Sequence, residues 1–173
     1  MKYKLLTTAL AATAVALGAP SAAHDHKTIT DLAVANENLT TLETAVIAAG
    51  LDSLLASEGP FTVLAPTDAA FGDLDPAVLD AALADPNGLL TTVLALHVIE
   101  GDYKSGELIA LANRNGSSVE VPTYGGGMIT LSVSKGKLTI TDANGRTSNV
   151  VKQNVNASNG TIHVIDAVIL PAL

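Results

Sequence analysis

A change of rhythm near Gly116 restricts this chain more than any other feature. Before it, apolar residues recur at helical spacing; after it, they fall in short runs separated by glycine and asparagine turns. Leu39, Leu42, Val46 and Ala49 stand at i, i+3, i+7 and i+10, so Thr28 to Leu55 is read as helical. Within it, Thr40-Thr-Leu-Glu43 reads as a capping box and Gly50 suits a left-handed helix stop. In the second half the strand readings are Ser118 to Val121, Ile129 to Ser134, Leu138 to Thr141, Asn149 to Lys152 and Thr161 to Leu170. Their turns are Gly125-Gly-Gly127, Lys135-Gly136, Asn144-Gly145 and Asn159-Gly160, where positive φ is readily adopted. The last run is apolar on both faces and therefore predicts a central strand, stopped by Pro171.

Between the halves, Phe61-Thr-Val-Leu-Ala-Pro-Thr-Asp-Ala-Ala-Phe71 predicts a strand that turns at once into a helix. Pro66 has no amide donor and pushes Ala65 into extended geometry, and the Thr67 hydroxyl can accept from the first free amides of a helix. Asp68 sits where a helix dipole favours an anion, and Phe71 lies one turn on, able to pack under the strand begun at Phe61 and Thr62. Asp75-Pro76 and Asp85-Pro86 repeat the acidic cap before a first-turn proline. Leu89, Leu90, Val93, Leu94 and His97 then share one helical stripe, which carries His97 to the apolar side as the chain enters Val98.

The amino terminus is set apart from this pattern. Met1-Lys-Tyr-Lys4 is cationic, Leu5 to Leu17 is apolar but too short to span a bilayer, and Ser21 and Ala23 satisfy the small-x-small cleavage rule. Residues 1–23 are therefore read as a signal peptide, residues 24–27 as a flexible mature start and residues 28–173 as one domain, secreted or periplasmic. Cleavage leaves 150 of the 173 residues, enough for a single core, and with no cysteine that core has no disulfide to support it. The absence of cysteine also predicts no lipid anchor, and no later apolar run is long enough for a membrane span. Cleavage removes two lysines and no acid, taking the formal charge from −8 to −10. That field repels phosphate backbones, and with no Trp and two Phe the chain lacks rings to stack bases, so nucleic acid is excluded as a partner.

Two segments carry a family resemblance: Thr62-Val-Leu-Ala-Pro-Thr-Asp-Ala-Ala-Phe71 and Asn159-Gly-Thr-Ile-His-Val-Ile-Asp-Ala-Val-Ile-Leu-Pro171. They resemble the signature segments of the fasciclin-like domain, with Leu96-His97-Val98 where that family has its central Tyr-His segment. The resemblance implies an α+β fold of several N-terminal helices packed on a wedge-shaped antiparallel β-sandwich. It also implies a non-enzymatic module that binds a protein or glycan at a cell surface or matrix; the expected state is a monomer, and the alternative reading is a periplasmic small-ligand or Cu(II)/Ni(II)-binding protein. Thr62, Pro66, Thr67, Asp68, Phe71, His163 and Asp166 belong to the structural motif under this resemblance, and Leu96, His97 and Val98 to the binding segment. Leu96 departs from the family's tyrosine, and Ala69 replaces a commonly acidic position. His97 admits two roles: tying a helix end to a neighbouring loop, or making a surface contact.

Residue chemistry points the same way. His97 and His163 accompany no Gly-x-Ser-x-Gly elbow, and no thiol is present. Lys137 is followed by Leu138, which breaks the phosphate-loop pattern, and Asp73-Leu-Asp75 lacks the later ligands of a calcium loop. His163 and Asp166, three apart on a strand, point to opposite faces and cannot share one metal ion. Asn144-Gly-Arg146 is read as a tight turn. The expectation is no cofactor within the domain. At the mature end, His24-Asp25-His26 places an imidazole third after a free amine, a four-nitrogen set suited to Cu(II) or Ni(II).

Overall fold

The computed structural model describes residues 27–172. Three helices open it: α1 (Ile29–Val34), α2 (Thr40–Ala48) and α3 (Asp52–Ala56). Strand β1 (Phe61–Pro66) runs directly into α4 (Asp68–Gly72), followed by α5 (Pro76–Ala84). A widened turn over Pro86–Leu90, in which the Leu90 amide reaches back to the Asp85 carbonyl, leads into α6 (Thr91–Leu96). Then come β2 (Val98–Glu100), α7 (Ser105–Arg114) and five strands: β3 (Ser118–Pro122), β4 (Met128–Ser134), β5 (Lys137–Thr141), β6 (Thr147–Ala157) and β7 (Gly160–Ile165).

The strands form one seven-stranded sheet in the order β2-β1-β7-β6-β5-β4-β3. Neighbours are antiparallel except β1 and β7, which run parallel with Phe61 beside Gly160 and Pro66 beside Ile165. Strand β6 belongs to two leaves: Thr147 to Asn149 pair with β5, and from Val150 onward the strand pairs with β7. Two register shifts in that second stretch bend β6, and the sheet folds into the wedge. One core lies between the helices and the β1–β7 face, joining Leu42, Phe71 and Val93 to Val63 and Ile162. The other lies inside the wedge under α7, around Leu108, Leu131, Leu138, Ile140 and Ile165.

Strand β7 is interior and buried along its whole length, but it is shorter than the apolar run suggests. The ladder ends at Ile165 rather than at Leu170. Beyond it the amides of Ala167, Ile169 and Leu170 are satisfied by the side chains of Ser148 (3.0 Å), His97 (3.0 Å) and Asp142 (3.2 Å). A buried main chain needs partners, and here side chains supply what a neighbouring strand would otherwise provide. The capping box read at Thr40 and Glu43 does not form either. Leu39 occupies the cap position of α2 without a side-chain bond, and a capping box occurs instead at Thr28 and Asp31 on α1.

Candidate functional site

The strand-to-helix corner is a joint between elements. The Thr67 hydroxyl accepts from the Ala70 amide at 3.2 Å, and Phe71 enters the helical core below Val63 and Ala65. Asp68 turns away from its own helix: its carboxylate accepts from the Thr41 amide at 2.7 Å and the Thr40 hydroxyl at 2.9 Å, capping α2 from α4. Burial alone pushes this carboxyl upward, but the bonds from Thr41 and Thr40 outweigh it and hold Asp68 below the usual carboxylate range. Thr62 is fully buried, donating to the Gly101 carbonyl at 2.6 Å and accepting from the Tyr103 amide at 2.8 Å. Pro66 is buried beside Ile165.

His97 ends α6 with 1% of its surface exposed. Its Nε2 faces the Ile169 amide at 3.0 Å, and an amide can only donate. The proton therefore sits on Nδ1, which donates to the Val93 carbonyl at 2.7 Å. Burial pushes the ring pKa down to about 4, against the opposing pull of the Val93 carbonyl. His97 thus ties the end of α6 to the carboxy-terminal segment.

Leu96 and Val98 flank this tie and are also buried, but Leu96 floors a surface groove of about 370 Å³. One wall is the Gly125-Gly-Gly127 loop and the other is Ile169 to Ala172. The loop docks closely because it carries no Cβ: one on Gly127 would overlap Leu96 Cδ2, and one on Gly125 would crowd the Ala95 backbone. Its main chain is fixed by the Tyr124 amide on the Val98 carbonyl (2.8 Å) and the Gly125 amide on the Ala95 carbonyl (3.1 Å). Met128, 49% exposed, stands on the rim. The groove presents glycine main chain, the Thr92 side chain and the edges of buried apolar side chains, and none of the described residues in its lining is ionisable.

His163 and Asp166 are held apart. His163 Nδ1 accepts from the Asn154 amide at 3.3 Å, and Nε2 donates to the Tyr103 carbonyl at 2.9 Å. Burial lowers its pKa, while the Tyr103 carbonyl and the nearby Asp102 pull the other way. Asp166 accepts from the Asn149 amide at 2.7 Å and its side chain at 3.0 Å, locking the start of β6 to the end of β7. Both imidazoles in the described residues therefore have both nitrogens committed to main-chain partners. His24 and His26 lie outside the described residues.

Three positions of structural weight escape the sequence reading. Asn159 serves as a cross-chain anchor: Oδ1 accepts from the Ile29 amide at 3.0 Å, and Nδ2 donates to the carbonyls of Leu55 (2.7 Å) and Ser57 (2.8 Å). Asp142 accepts from the amides of Asn144 and Arg146, both at 2.9 Å, as well as from Leu170. Asn154, left-handed at φ 56°, exchanges bonds with Ser105 at the start of α7. The only local signals were an Asn before Gly160, an Asp before a turn and an Asn amid polar residues.

Comparison with known proteins agrees with this architecture. The sequence profile of the Fasciclin domain matches residues 37–171. Protein sll1483 of Synechocystis sp. is 38% identical over 147 residues, which are 84% of this chain and 74% of that protein. Transforming growth factor-beta-induced protein ig-h3 of Sus scrofa is 34% identical over 131 residues, 76% of this chain but 17% of that protein. A FAS1 domain pair from the insect cell adhesion molecule Fasciclin I has the same fold, with a TM-score of 0.68 at 21% identity, over 84% of this chain and 51% of that one. The two quoted signature segments, the wedge they help to build and the profile match converge: the chain belongs to the fasciclin domain family.

Proposed function

We propose that the protein is a secreted or periplasmic, non-enzymatic interaction module that binds a partner at a cell surface or matrix through the groove over Leu96. The observation that carries this reading is the groove itself, a recess held rigid by backbone bonds and by the His97–Ile169 tie, with Met128 exposed on its rim. A protein partner suits it better than a glycan, because no aromatic ring lines it among the described residues. The FAS1 domain pair that shares this fold comes from a molecule named for cell adhesion, which supports the class of role. Export rests on residues 1–23, and non-enzymatic action on the committed imidazoles.

Affinity capture from intact cell surfaces and culture medium tests this reading, using the wild-type protein, Met128→Glu on the groove rim and Ile47→Glu on α2. The expected result is a discrete protein retained by wild type and Ile47→Glu and lost with Met128→Glu. Equal capture by Met128→Glu overturns the groove assignment, and turnover in a broad ester and amide screen overturns the non-enzymatic one.

A second reading concerns metal at the amino terminus. Ser21-Ala-Ala23 immediately precedes His24-Asp25-His26, so cleavage there exposes amine, two amides and the His26 ring as a square-planar set for Cu(II) or Ni(II).

A further inference from the structure

The chain contains four Asn-Gly pairs, at Asn87, Asn115, Asn144 and Asn159. In such a pair the backbone nitrogen of glycine can attack the asparagine side-chain carbonyl carbon. The new C–N bond closes a five-membered succinimide, the side-chain nitrogen leaves as ammonia, and water then opens the ring to aspartate or to β-linked isoaspartate. Solvent water is the sole co-reactant, and nothing is oxidised or reduced. A fold slows the reaction by engaging the glycine amide or by pinning the asparagine side chain.

The four sites differ sharply on both counts. Asn159 is held by three main-chain partners, and Gly160 is buried in β7. Asn144 donates to the Pro171 carbonyl at 2.8 Å, and the Gly145 amide donates to the Asp142 carbonyl at 3.1 Å. At Asn87 the Gly88 amide donates to the Asp85 carbonyl at 3.2 Å. At the end of α7 the pattern is different. The amides of Asn115 and Ser117 both close on the Ala112 carbonyl, at 3.0 and 2.9 Å, and the Gly116 amide between them has no acceptor among the described residues. The Asn115 side chain makes one exposed bond, to the Leu111 carbonyl at 2.9 Å. Both residues are exposed, and the space beside the Gly116 Cα is open.

We propose that Asn115-Gly116 is the site at which the folded protein undergoes succinimide-mediated deamidation, ahead of its three other Asn-Gly pairs. The product removes the Leu111 cap and puts a carboxylate at the C-terminal end of α7, where the helix dipole disfavours it. The β-linked form also adds a backbone methylene just before β3. This proposal stands apart from the partner-binding reading.

Trypsin separates the four sites: Asn87 falls in peptide 28–104, Asn115 in 115–135, Asn144 in 138–146 and Asn159 in 153–173. The intact folded protein is aged in mildly alkaline buffer, digested under mildly acidic conditions that halt the reaction, and its aspartate and isoaspartate peptides are followed by mass spectrometry. The same protein aged in concentrated urea is the reference. Peptide 115–135 is expected to convert several-fold faster than the other three in the folded protein, with the four rates converging in urea. Folded-state conversion of 28–104, 138–146 or 153–173 as fast as 115–135 overturns the proposal, as does a rank order unchanged by urea.

Discussion

Acidification forces a proton onto a group that the folded chain has no room to charge. His97 accepts from Ile169 through Nε2, so a proton there abolishes that bond and leaves a cation in the core. Folding lowers its pKa from 6.5 to about 4. The unfolded chain therefore binds the proton first as pH falls through 6.5, and the native state loses stability until its own value is passed near 4. At about 1.4 kcal/mol per pH unit, the full gap is worth about 3 kcal/mol, of which about 2 kcal/mol is gone by about pH 5. The assay is urea unfolding followed by circular dichroism across this range, since the chain has no tryptophan to report by fluorescence. Wild type is compared with His97→Gln, which cannot titrate; His163 and the carboxylates are present in both and cancel. The stability difference between the two proteins should shrink by about 2 kcal/mol between neutrality and about pH 5. A difference that stays flat refutes the burial argument.

Thr67→Ala should cost about 1 kcal/mol in a thermal or urea melt through loss of the α4 cap, and an unchanged melt contradicts that assignment. Asp68→Asn should weaken α2 rather than α4, so amide exchange should quicken at Thr41 and Leu42 while Phe71 stays protected; the reverse pattern removes the remote cap. Asn159→Ala deletes three hydrogen bonds to the helical layer, a loss of about 3 kcal/mol at about 1 kcal/mol per bond, and a loss within the error of the melt sinks its role as an anchor. Mature protein beginning at His24 should show a visible cupric band at neutral pH that disappears on removing residues 24–27; a mature end found elsewhere, or no band, eliminates the metal reading.

What the sequence disclosed about this fold was whatever is decided within one turn or one strand. The Thr67 cap, the descent of Phe71 and the inward face of His97 all follow from spacing along a single element, and the structure has each of them. Thr40 and Glu43 show where this reading stops. Their local pattern is sound, but Leu39 takes the cap position, its carbonyl accepts from the Glu43 amide, and the Asp68 carboxylate from another helix accepts from the Thr41 amide and the Thr40 hydroxyl. Asn159 looks like an ordinary turn residue because its partners lie more than a hundred positions away. An apolar run cannot reveal whether its backbone will bond to a strand or to side chains, so the end of β7 at Ile165 was invisible. The polar stretch after Lys152 lacked alternation, yet β6 continues through it to Ala157, bent at its register shifts. The groove over Leu96 is legible only in part: the triple glycine predicts a loop, and nothing local says that the loop lies on α6.

The parallel pairing of β1 with β7 sets a schedule for assembly. β1 is the first of the described strands to leave the ribosome, but the neighbour that fills its second edge is the last of them. Until Gly160 to Ile165 have been made, β1 has β2 alone beside it, and the helical core lacks Ile162 and Val164. Such distant pairing delays collapse, since chain entropy must be surrendered before the contacts return it. The second edge of β1 therefore stays unfilled until nearly all of the domain has been synthesised.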